Sequence, residues 1–350
     1  MTEPGGSPVA TDPSRPLSQL SGEVAVGSGR RRTSALVGII FSRYAVLVTL
    51  VSLAVIFTFT NSQTFPTSLN IQNILSDNAI LLILTLGALV PLVVGEFDLS
   101  LGFLTGLSAV TIAILAGKHG MPLAPALAIA LLVGLGVGII NGVLVGYAGI
   151  NSFIVTLATG TIASGVSLLL SNGEVLFQNI PTALTQFGQG FYGPVPAITV
   201  LALILTVAMW FVLSKTLLGR RLYATGLGRE PARLTGVKTR ALVCSSFVIS
   251  GLSASIAGVL VVGRVGSASP QLGPDFLLPS LAAAFLGATV HTPGRFNVIG
   301  SVIAILFVGV GLNGLQLNGA PFWVQPVFQG GVLVLAVGLS RLASSRTRIA

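Results

Sequence analysis

The chain of 350 residues has the composition of a membrane protein. Hydrophobic residues make up 53% of it, charged residues only 8%, and the mean hydropathy is +0.93. A soluble domain carries roughly a quarter charged residues, so this chain cannot cover itself with polar surface and lipid must be its solvent. The lone cysteine, Cys244, excludes an internal disulfide and a cysteine-based metal site.

Residues 1–43 precede the apolar part of the chain and are rich in Gly, Pro, Ser and Arg. This composition predicts a disordered cytoplasmic tail, because it can bury little apolar surface. Residues 44–342 form the predicted transmembrane domain, in which runs long enough to cross a hydrocarbon core of roughly 30 Å recur. The sequence thus predicts an all-α polytopic membrane protein of about ten transmembrane helices, followed by a cytoplasmic tail at 343–350. The predicted spans are 44–60, 78–95, 98–117, 123–147, 151–171, 196–214, 241–263, 276–291, 295–317 and 322–341.

Positive charge is distributed unevenly among the loops that join these spans. With the N-terminus inside, ten spans place all but two of the 18 Lys and Arg residues on the inner side, leaving Lys118 and Arg264 outside. Cytoplasmic loops carry such an excess, so we expect both termini to be cytoplasmic. The net charge of +9 then reflects orientation, and we expect membrane lipid but no nucleic acid as a partner.

Small residues recur at helical spacing in two of the predicted spans. The seventh span has Gly251/Ser255 and Ala254/Gly258. Such spacing lets helix backbones approach closely in lipid, and packing inside one subunit is favoured here over a dimer seam. The fourth span presents a row of glycines four residues apart on one face: Gly134, Gly138, Gly142 and Gly146.

No spacing in the sequence predicts catalysis. We find no Ser/His/Asp arrangement, no HExxH and no GxxxxGK[ST] phosphate loop. The only histidines are His119 and His291, both in short predicted loops. We therefore expect no catalytic residues, no metal site and no ATP bound by this chain.

Two carboxylates stand close together in the apolar stretch "VVGEFDLSLG", residues 93–102. Facing lipid, each would cost several kcal/mol, so they are expected to face protein, water or a span end. Asp98 precedes Leu99 and Ser100 and is a natural N-cap for the third span. Glu96 is expected to be solvated at the inner mouth or in the pore. A role in the substrate pathway stays open for both residues.

The longest polar segment between spans, residues 215–240, is strongly basic and contains a predicted short helix. Glu230 and Pro231 can open this helix, and Gly236 can end it. An amphipathic helix there suits docking to a partner, while the alternative is a loop whose charge only sets orientation. The longest loop predicted outside, 171–194, is rich in Asn, Gln, Thr and aromatic residues. It is interpreted as an ordinary solvated loop, with contact to a polyhydroxy ligand or its carrier as the alternative.

Four stretches together resemble a known family. They are "GEFDLSLGFLTGLSAV" (95–110), "NSFIVTLATGTIASGVSLLLSNG" (151–173), "ATGLGREPARLTGV" (224–237) and "AAAFLGATVHTPGRFNVIGSVIAILFVG" (282–309). In this order and spacing the chain resembles the monosaccharide (ribose/xylose-type) ABC transporter permeases, within the branched-chain-amino-acid/ribose permease superfamily. Where that family usually has Gly-Gly-Ile/Met-Asp-Leu-Ser, this chain has Glu96 at the second position, while Asp98 and Ser100 match.

The resemblance implies a type II ABC importer-like permease fold in a bacterial inner membrane. Two permease copies, expected to be a homodimer, would form the pore, and an extracytoplasmic binding protein would deliver a monosaccharide. A separate ABC ATPase would hydrolyse ATP, so the permease itself is not an enzyme and binds no cofactor. The ATPase-coupling residues are then expected to be Arg229, Glu230, Arg233, Leu234 and Gly236. The expected substrate pathway contains Glu96, Asp98, Ser100, Asn151, Ser152 and Thr156.

The alternative from another class is an ion-coupled secondary transporter of a small polar solute. Such carriers also have about ten spans and broken helices. Proton coupling needs intramembrane acids or histidines, and only Glu96 and Asp98 qualify here. An intramembrane enzyme would need a reactive cluster, which the sequence does not contain.

Overall fold

The computed structural model describes residues 46–290, 292 and 294–347. The predicted tail 1–43 lies outside the described residues, as do residues 348–350. Within the described part the chain is helical apart from a two-stranded ribbon and short connections. Its helices are α1 (Val46–Thr60), α2 (Ser68–Val93), α3 (Ser100–Ile112) continued by a π-helix (Ala113–Lys118), α4 (Leu123–Gly146), α5 (Ser152–Ser171), α6 (Thr182–Gln189), α7 (Ala197–Lys215), α8 (Leu217–Leu227), α9 (Arg229–Leu234), α10 (Thr239–Val265), α11 (Pro274–Gly287), α12 (Val298–Leu317) and α13 (Val324–Thr347). The ribbon pairs β1 (Phe191–Tyr192) with β2 (Val195–Pro196) in antiparallel register.

Each of the ten predicted spans corresponds to one of these helices. In the described residues, seven helices are long and apolar enough to cross a membrane: α2, α3 with its π-helix, α4, α5, α7, α10 and α12. Three shorter apolar helices, Val46–Thr60, Asp275–Gly287 and Val324–Ala336, lie at the first, eighth and tenth predicted spans. The predicted all-α polytopic membrane protein is confirmed. The orientation of its termini stays a prediction.

Two local predictions are wrong. The second span begins at Ser68 and not at residue 78, because the Thr67 hydroxyl accepts the Asn70 N–H at 3.3 Å and caps a polar first stretch of helix. The 171–194 segment is not an ordinary loop, since it contains α6 and the first strand of the ribbon. Leu184 of α6 is buried and Gly188 packs against Gly263 of α10.

The core lies along α2, α3 and α10, which are largely buried, while α4, α5 and α7 leave much apolar surface exposed. The glycine row of α4 packs against α10 of the same chain. A Cβ at any of its four positions would come too close to α10. The facing partners are Gly251 for Gly134, Phe247 for Gly138, Cys244 for Gly142 and Arg240 for Gly146.

The bundle has two distinguishable ends. We call the end that carries α8, α9 and the α2–α3 turn (residues 94–99) the basic end, after the Lys and Arg residues of 215–240. The other, which carries α6 and the ribbon, is the α6 end. The Gln72 amide donates to the Pro194 carbonyl at 3.2 Å, which places the first turns of α2 there.

Helix α11 starts inside the bundle. Gly266 ends α10 in the left-handed region (φ +75°), and the chain then turns back as irregular backbone. Ala268 in this return pairs with Leu176 through two 2.8 Å backbone hydrogen bonds. Gly273 packs against Gly102, the third residue of α3, so α11 begins well below the α6 end. Irregular backbone at this depth is tolerated because it is covered by protein.

Candidate functional site

Helices α8 and α9 form a compact pair at the basic end. Gly236, with φ +83°, terminates α9 by donating its N–H to the Arg233 carbonyl at 2.9 Å, and Val237 donates to the Ala232 carbonyl at 3.2 Å. This is the left-handed helix ending that glycine favours. The predicted short helix is confirmed, although it starts at Arg229, one residue earlier. Helix α8, which begins after the Thr216 cap, was missed.

The outer surface of this pair combines two leucines with an ion pair. Leu234 is 84% exposed and Leu227 is 92% exposed, although neither lies in a membrane-spanning helix. Arg233 and Glu230 pair with each other at 3.0 Å on the exposed side of α9. The buried residue Ala232 anchors α9 to the protein. The surface therefore presents apolar groups that nothing in the described part of the chain covers.

Helix α9 is tied directly to the α2–α3 turn. Arg229 donates to the carboxylate of Glu96 across 133 residues of sequence. Gly95, with φ +84°, packs against Gly226 of α8. The Glu96 side chain is only 14% exposed, against 41% for Arg229. The expectation of a solvated Glu96 is thus wrong. Partial burial lowers the pKa of Arg229, but a guanidinium stays charged at neutral pH.

The neighbouring carboxylate of Asp98 is buried and organises the start of α3. Its Oδ1 accepts the Ser100 N–H at 2.9 Å and the Ser100 hydroxyl at 2.5 Å. Asp98 thus accepts the N–H of the first helical residue, but the prediction that it is the N-cap is off by one residue, because the N-cap is Leu99. Asp98 Oδ2 has no hydrogen-bond partner in the described part, and neither has the buried hydroxyl of Ser250 in α10.

Polar side chains of α4 and α5 complete a network around this turn. The Asn141 amide donates to the Ser100 hydroxyl at 2.9 Å and accepts from Thr159 at 2.8 Å. The backbone N–H of Leu99 donates to Thr156 at 3.0 Å, and that of Phe97 donates to Ser152 at 3.3 Å. The helices α3, α4 and α5 are therefore joined at one polar point.

The structure thus brings Glu96, Asp98, Ser100, Ser152 and Thr156 together at the basic end. Asn151 lies beside them and caps α5, accepting the Phe153 N–H at 2.9 Å. Their polar groups are largely engaged in protein hydrogen bonds, which supports a structural role, and their predicted place in a substrate pathway stays a prediction. Sequence reasoning missed Asn141, whose signal is a single amide within an otherwise apolar span.

Aromatic contacts join α8 to the α11–α12 connection. The Tyr223 hydroxyl donates to the Phe296 carbonyl at 2.7 Å, and the guanidinium of Arg295 lies 3.6 Å above the Tyr223 ring. Burial raises the pKa of Tyr223, outweighing the opposing effect of Arg295, so the phenol stays a donor. Phe285 packs against Phe296 at 5.3 Å and against Phe97 of the α2–α3 turn at 6.1 Å. These contacts, unforeseen from the sequence, join α8, the turn and the end of α11.

A separate polar cavity of about 270 Å³ opens between α2, α11, α12 and α13 in the half of the bundle nearer the α6 end. Its polar lining consists of Asp77, Asn78, Asp275, Asn313, Gln316, Gln325 and Gln329. Apolar walls come from α2, α11 and α12. The sequence reasoning missed this cavity. Amides inside apolar helices, as at 78 and 313, were the available signal.

Fold and site define a multi-pass membrane protein with an organised surface at one end and a polar internal cavity. Residues 70–337 match the family described as branched-chain amino acid transport system / permease component. The chain belongs to this family.

Its relatives include sugar-related permeases. The D-allose transport system permease protein of Escherichia coli is 31% identical over 305 residues, covering 87% of this chain and 93% of that protein. The autoinducer 2 import system permease protein of Photorhabdus laumondii is 32% identical over 267 residues, covering 75% and 80% respectively. The corresponding Yersinia enterocolitica protein is 31% identical over the same length. No solved structure matches the chain significantly. The predicted membership of the monosaccharide-type ABC permeases is confirmed.

Proposed function

We propose that the chain is the transmembrane permease subunit of a binding-protein-dependent ABC importer for a monosaccharide or a closely related polyol. It would lie in a bacterial inner membrane with both termini cytoplasmic. A second copy would complete the pore, and an extracytoplasmic binding protein would deliver the sugar. ATP would be hydrolysed by a separate ATPase, so this chain would bind no cofactor. The relatives for D-allose and autoinducer 2 support the substrate class.

The observation that carries the proposal is the exposed surface of α8 and α9 in a chain of this family. Burying a leucine at an interface contributes about 1.5–3 kcal/mol, whereas an exposed ion pair contributes about 0–1 kcal/mol. Leu234 would therefore supply most of the affinity for the ATPase, and the exposed Leu227 would add to it. Arg233 and Glu230, already paired, would act at the edge.

The contacts of α9 suggest how a docked ATPase acts on the membrane helices. Arg229 joins α9 to Glu96, and Gly226 of α8 packs on Gly95. Residues 94–99 connect α2 to α3, two of the most buried helices in the bundle. A displacement of α8 and α9 by the ATPase would thus reach α2 and α3 through a single turn.

The proposal is tested by reconstituting the chain with its ATPase and binding protein in liposomes and measuring ATP-dependent uptake across a sugar panel. Leu234→Asp is expected to leave membrane insertion intact and to reduce sugar-stimulated ATP hydrolysis at least tenfold, with loss of ATPase co-purification. Gly236→Val should act in the same direction, because φ +83° disfavours a side chain. Arg233→Ala should be milder.

Lys238→Gln is a matched control, since it changes the charge of the same segment by as much as Leu234→Asp does. Full transport by Leu234→Asp, together with loss on neutralising Arg220, Arg221 and Arg240, would show that only charge matters there. Uptake driven by a pH gradient without the ATPase would instead establish an ion-coupled carrier. In that case the buried Asp98 would become the candidate proton site.

A further inference from the structure

The polar cavity between α2, α11, α12 and α13 combines features of a small-ligand site. We infer that it is the site at which the permease itself holds the sugar, on its passage from the binding protein to the basic end. This inference rests on the proposed function. It assigns a function to residues that the sequence analysis did not place in the substrate pathway.

The lining has the chemistry that neutral hydroxyl groups require. The carboxylates of Asp77 and Asp275 accept hydrogen bonds from hydroxyls, and the surrounding Asn and Gln amides both donate and accept. Among the described residues no Lys or Arg lines the cavity. Asp77 pairs with Arg264, which is outside the lining, while Asp275 has no cation beside it among the described residues. A carboxylate that no cation neutralises disfavours anionic ligands such as sugar phosphates. The ligand class is thus a neutral polyhydroxylated molecule.

The size and shape of the cavity agree with one sugar ring. Its volume of about 270 Å³ is below the range of about 300–1,000 Å³ for sites of drug-sized ligands. Phe276, Leu81 and Ile74 contribute apolar wall, against which the C–H face of a sugar can lie. A site with apolar walls and several oriented polar groups is the usual composition of a small-molecule pocket.

Some lining groups are held in place and others are unengaged. Asn313 exchanges two hydrogen bonds with Asn70 at 3.0 and 2.9 Å, and Gln316 donates to Gln325 at 3.2 Å. Asp77 pairs with Arg264 of α10 at 3.4 Å, which fixes it at the rim.

The carboxylate of Asp275 and the amide of Gln329, by contrast, have no partner within the described chain. Asp275 is exposed and Gln329 is half-buried, so the polar groups of both are free to engage a ligand in the cavity. Asp275 also lies in the first turn of α11, the helix that starts inside the bundle.

Helix α11 connects this cavity to the opposite end of the bundle. Asp275 lies at its start, and Phe285 near its end packs on Phe97 of the α2–α3 turn at 6.1 Å. A sugar held at Asp275 would therefore contact a helix whose other end touches the turn bound by α9. This arrangement makes sugar-dependent transport the appropriate readout.

The test uses the reconstituted complex of permease, ATPase and binding protein. Asp275→Asn and Gln329→Leu are expected to lower the rate of sugar uptake at least tenfold and to change the ratio of rates between sugars that differ at one hydroxyl. The control Gln63→Leu makes the same chemical change as Gln329→Leu at an exposed residue outside the cavity lining and outside the 171–194 segment. It should transport at the wild-type rate and ratio.

A labelling experiment covers the case in which a cavity variant fails to fold. In a Cys244→Ala background, Gln329→Cys should react with a small thiol reagent, and the transported sugar should slow that reaction at least threefold. Gln63→Cys should react at a rate that the sugar does not change. Wild-type ratios in both cavity variants, or labelling of residue 329 unaffected by a sugar that the complex transports, would overturn the cavity assignment alone. Absence of ATP-dependent uptake of any sugar by the wild-type complex would overturn the proposed function and the cavity assignment together.

Discussion

The ion pair between Arg229 and Glu96 predicts an unequal response to its two single substitutions. The Glu96 side chain is 14% exposed and that of Arg229 is 41% exposed. Arg229→Gln therefore leaves a largely covered carboxylate without its partner, whereas in Glu96→Gln the guanidinium can turn to water. A covered charge that loses its partner costs more than the pair contributed. We expect Arg229→Gln to be the more damaging change, and the double variant to recover most of the loss.

The expected coupling energy of the pair follows from the exposed fractions of the same two side chains. Fully exposed pairs couple by about 0.2–1 kcal/mol, and hydrogen bonds to charged groups contribute about 1.5–3 kcal/mol when covered. Since the Arg229 side chain is more than a third exposed, solvent screening lowers the coupling energy below the value for a buried hydrogen bond to a charged group. We expect a coupling energy of about 1 kcal/mol, which corresponds to roughly fivefold in an equilibrium constant.

A double-mutant cycle measures this quantity by denaturant titration of the purified chain in detergent, with sugar-stimulated ATP hydrolysis as the functional readout. The matched control is the pair Arg233 and Glu230 on the same helix, whose side chains are 60% and 71% exposed. Its cycle should give a few tenths of a kcal/mol at most. If the Arg229 and Glu96 substitutions were simply additive, or if Glu96→Gln were the worse of the two, the reasoning from burial would be refuted.

Two further predictions concern packing and capping. Gly142→Leu should lower expression and the apparent Tm, because the leucine side chain would meet the Cys244 backbone of α10. Overpacking of this kind costs about 1–3 kcal/mol. The control is Gly136→Leu on the same helix, which should behave as wild type because no atom lies within 4 Å of a Cβ built there. Asp98→Ala should reduce expression more than Asp98→Asn, because Asn retains an acceptor for the Ser100 N–H. Equal insertion of both Asp98 variants with loss of uptake in both would instead assign the residue to transport.

Some of the site was predictable because its signals are local. The ending of α9 needs only a glycine that can adopt positive φ, and Gly236 is in that segment. The capping chemistry of Asp98 needs only a carboxylate two residues before a helical N–H. Conversely, the second span was started ten residues late because hydropathy does not register a polar helix that Thr67 caps.

The pairing of Arg229 with Glu96 could not be predicted, because the two residues are 133 positions apart and each has an ordinary local explanation. Glu96 could face solvent and Arg229 could simply add to the basic charge of its loop. The packing of Gly226 of α8 on the backbone of Val93 and Val94 brings the two side chains together. The cavity was even less predictable from the sequence, because its lining comes from four separate helices.

The sequence by itself determined that this chain is a membrane bundle, approximately where its ten apolar spans lie and which glycine row permits close approach. Those properties depend on apolar length, helix ends and side-chain volume, all of which are set within a few residues along the chain. The tertiary structure decided that α10 fills the glycine face of α4, that Arg229 meets Glu96 and that polar side chains from four helices surround one cavity. Hydropathy identifies the segments that lie in the membrane. It does not say which face of an apolar helix packs against protein, because lipid can contact every apolar face equally well. The choice of neighbours is therefore made by the shape and polarity of the whole bundle.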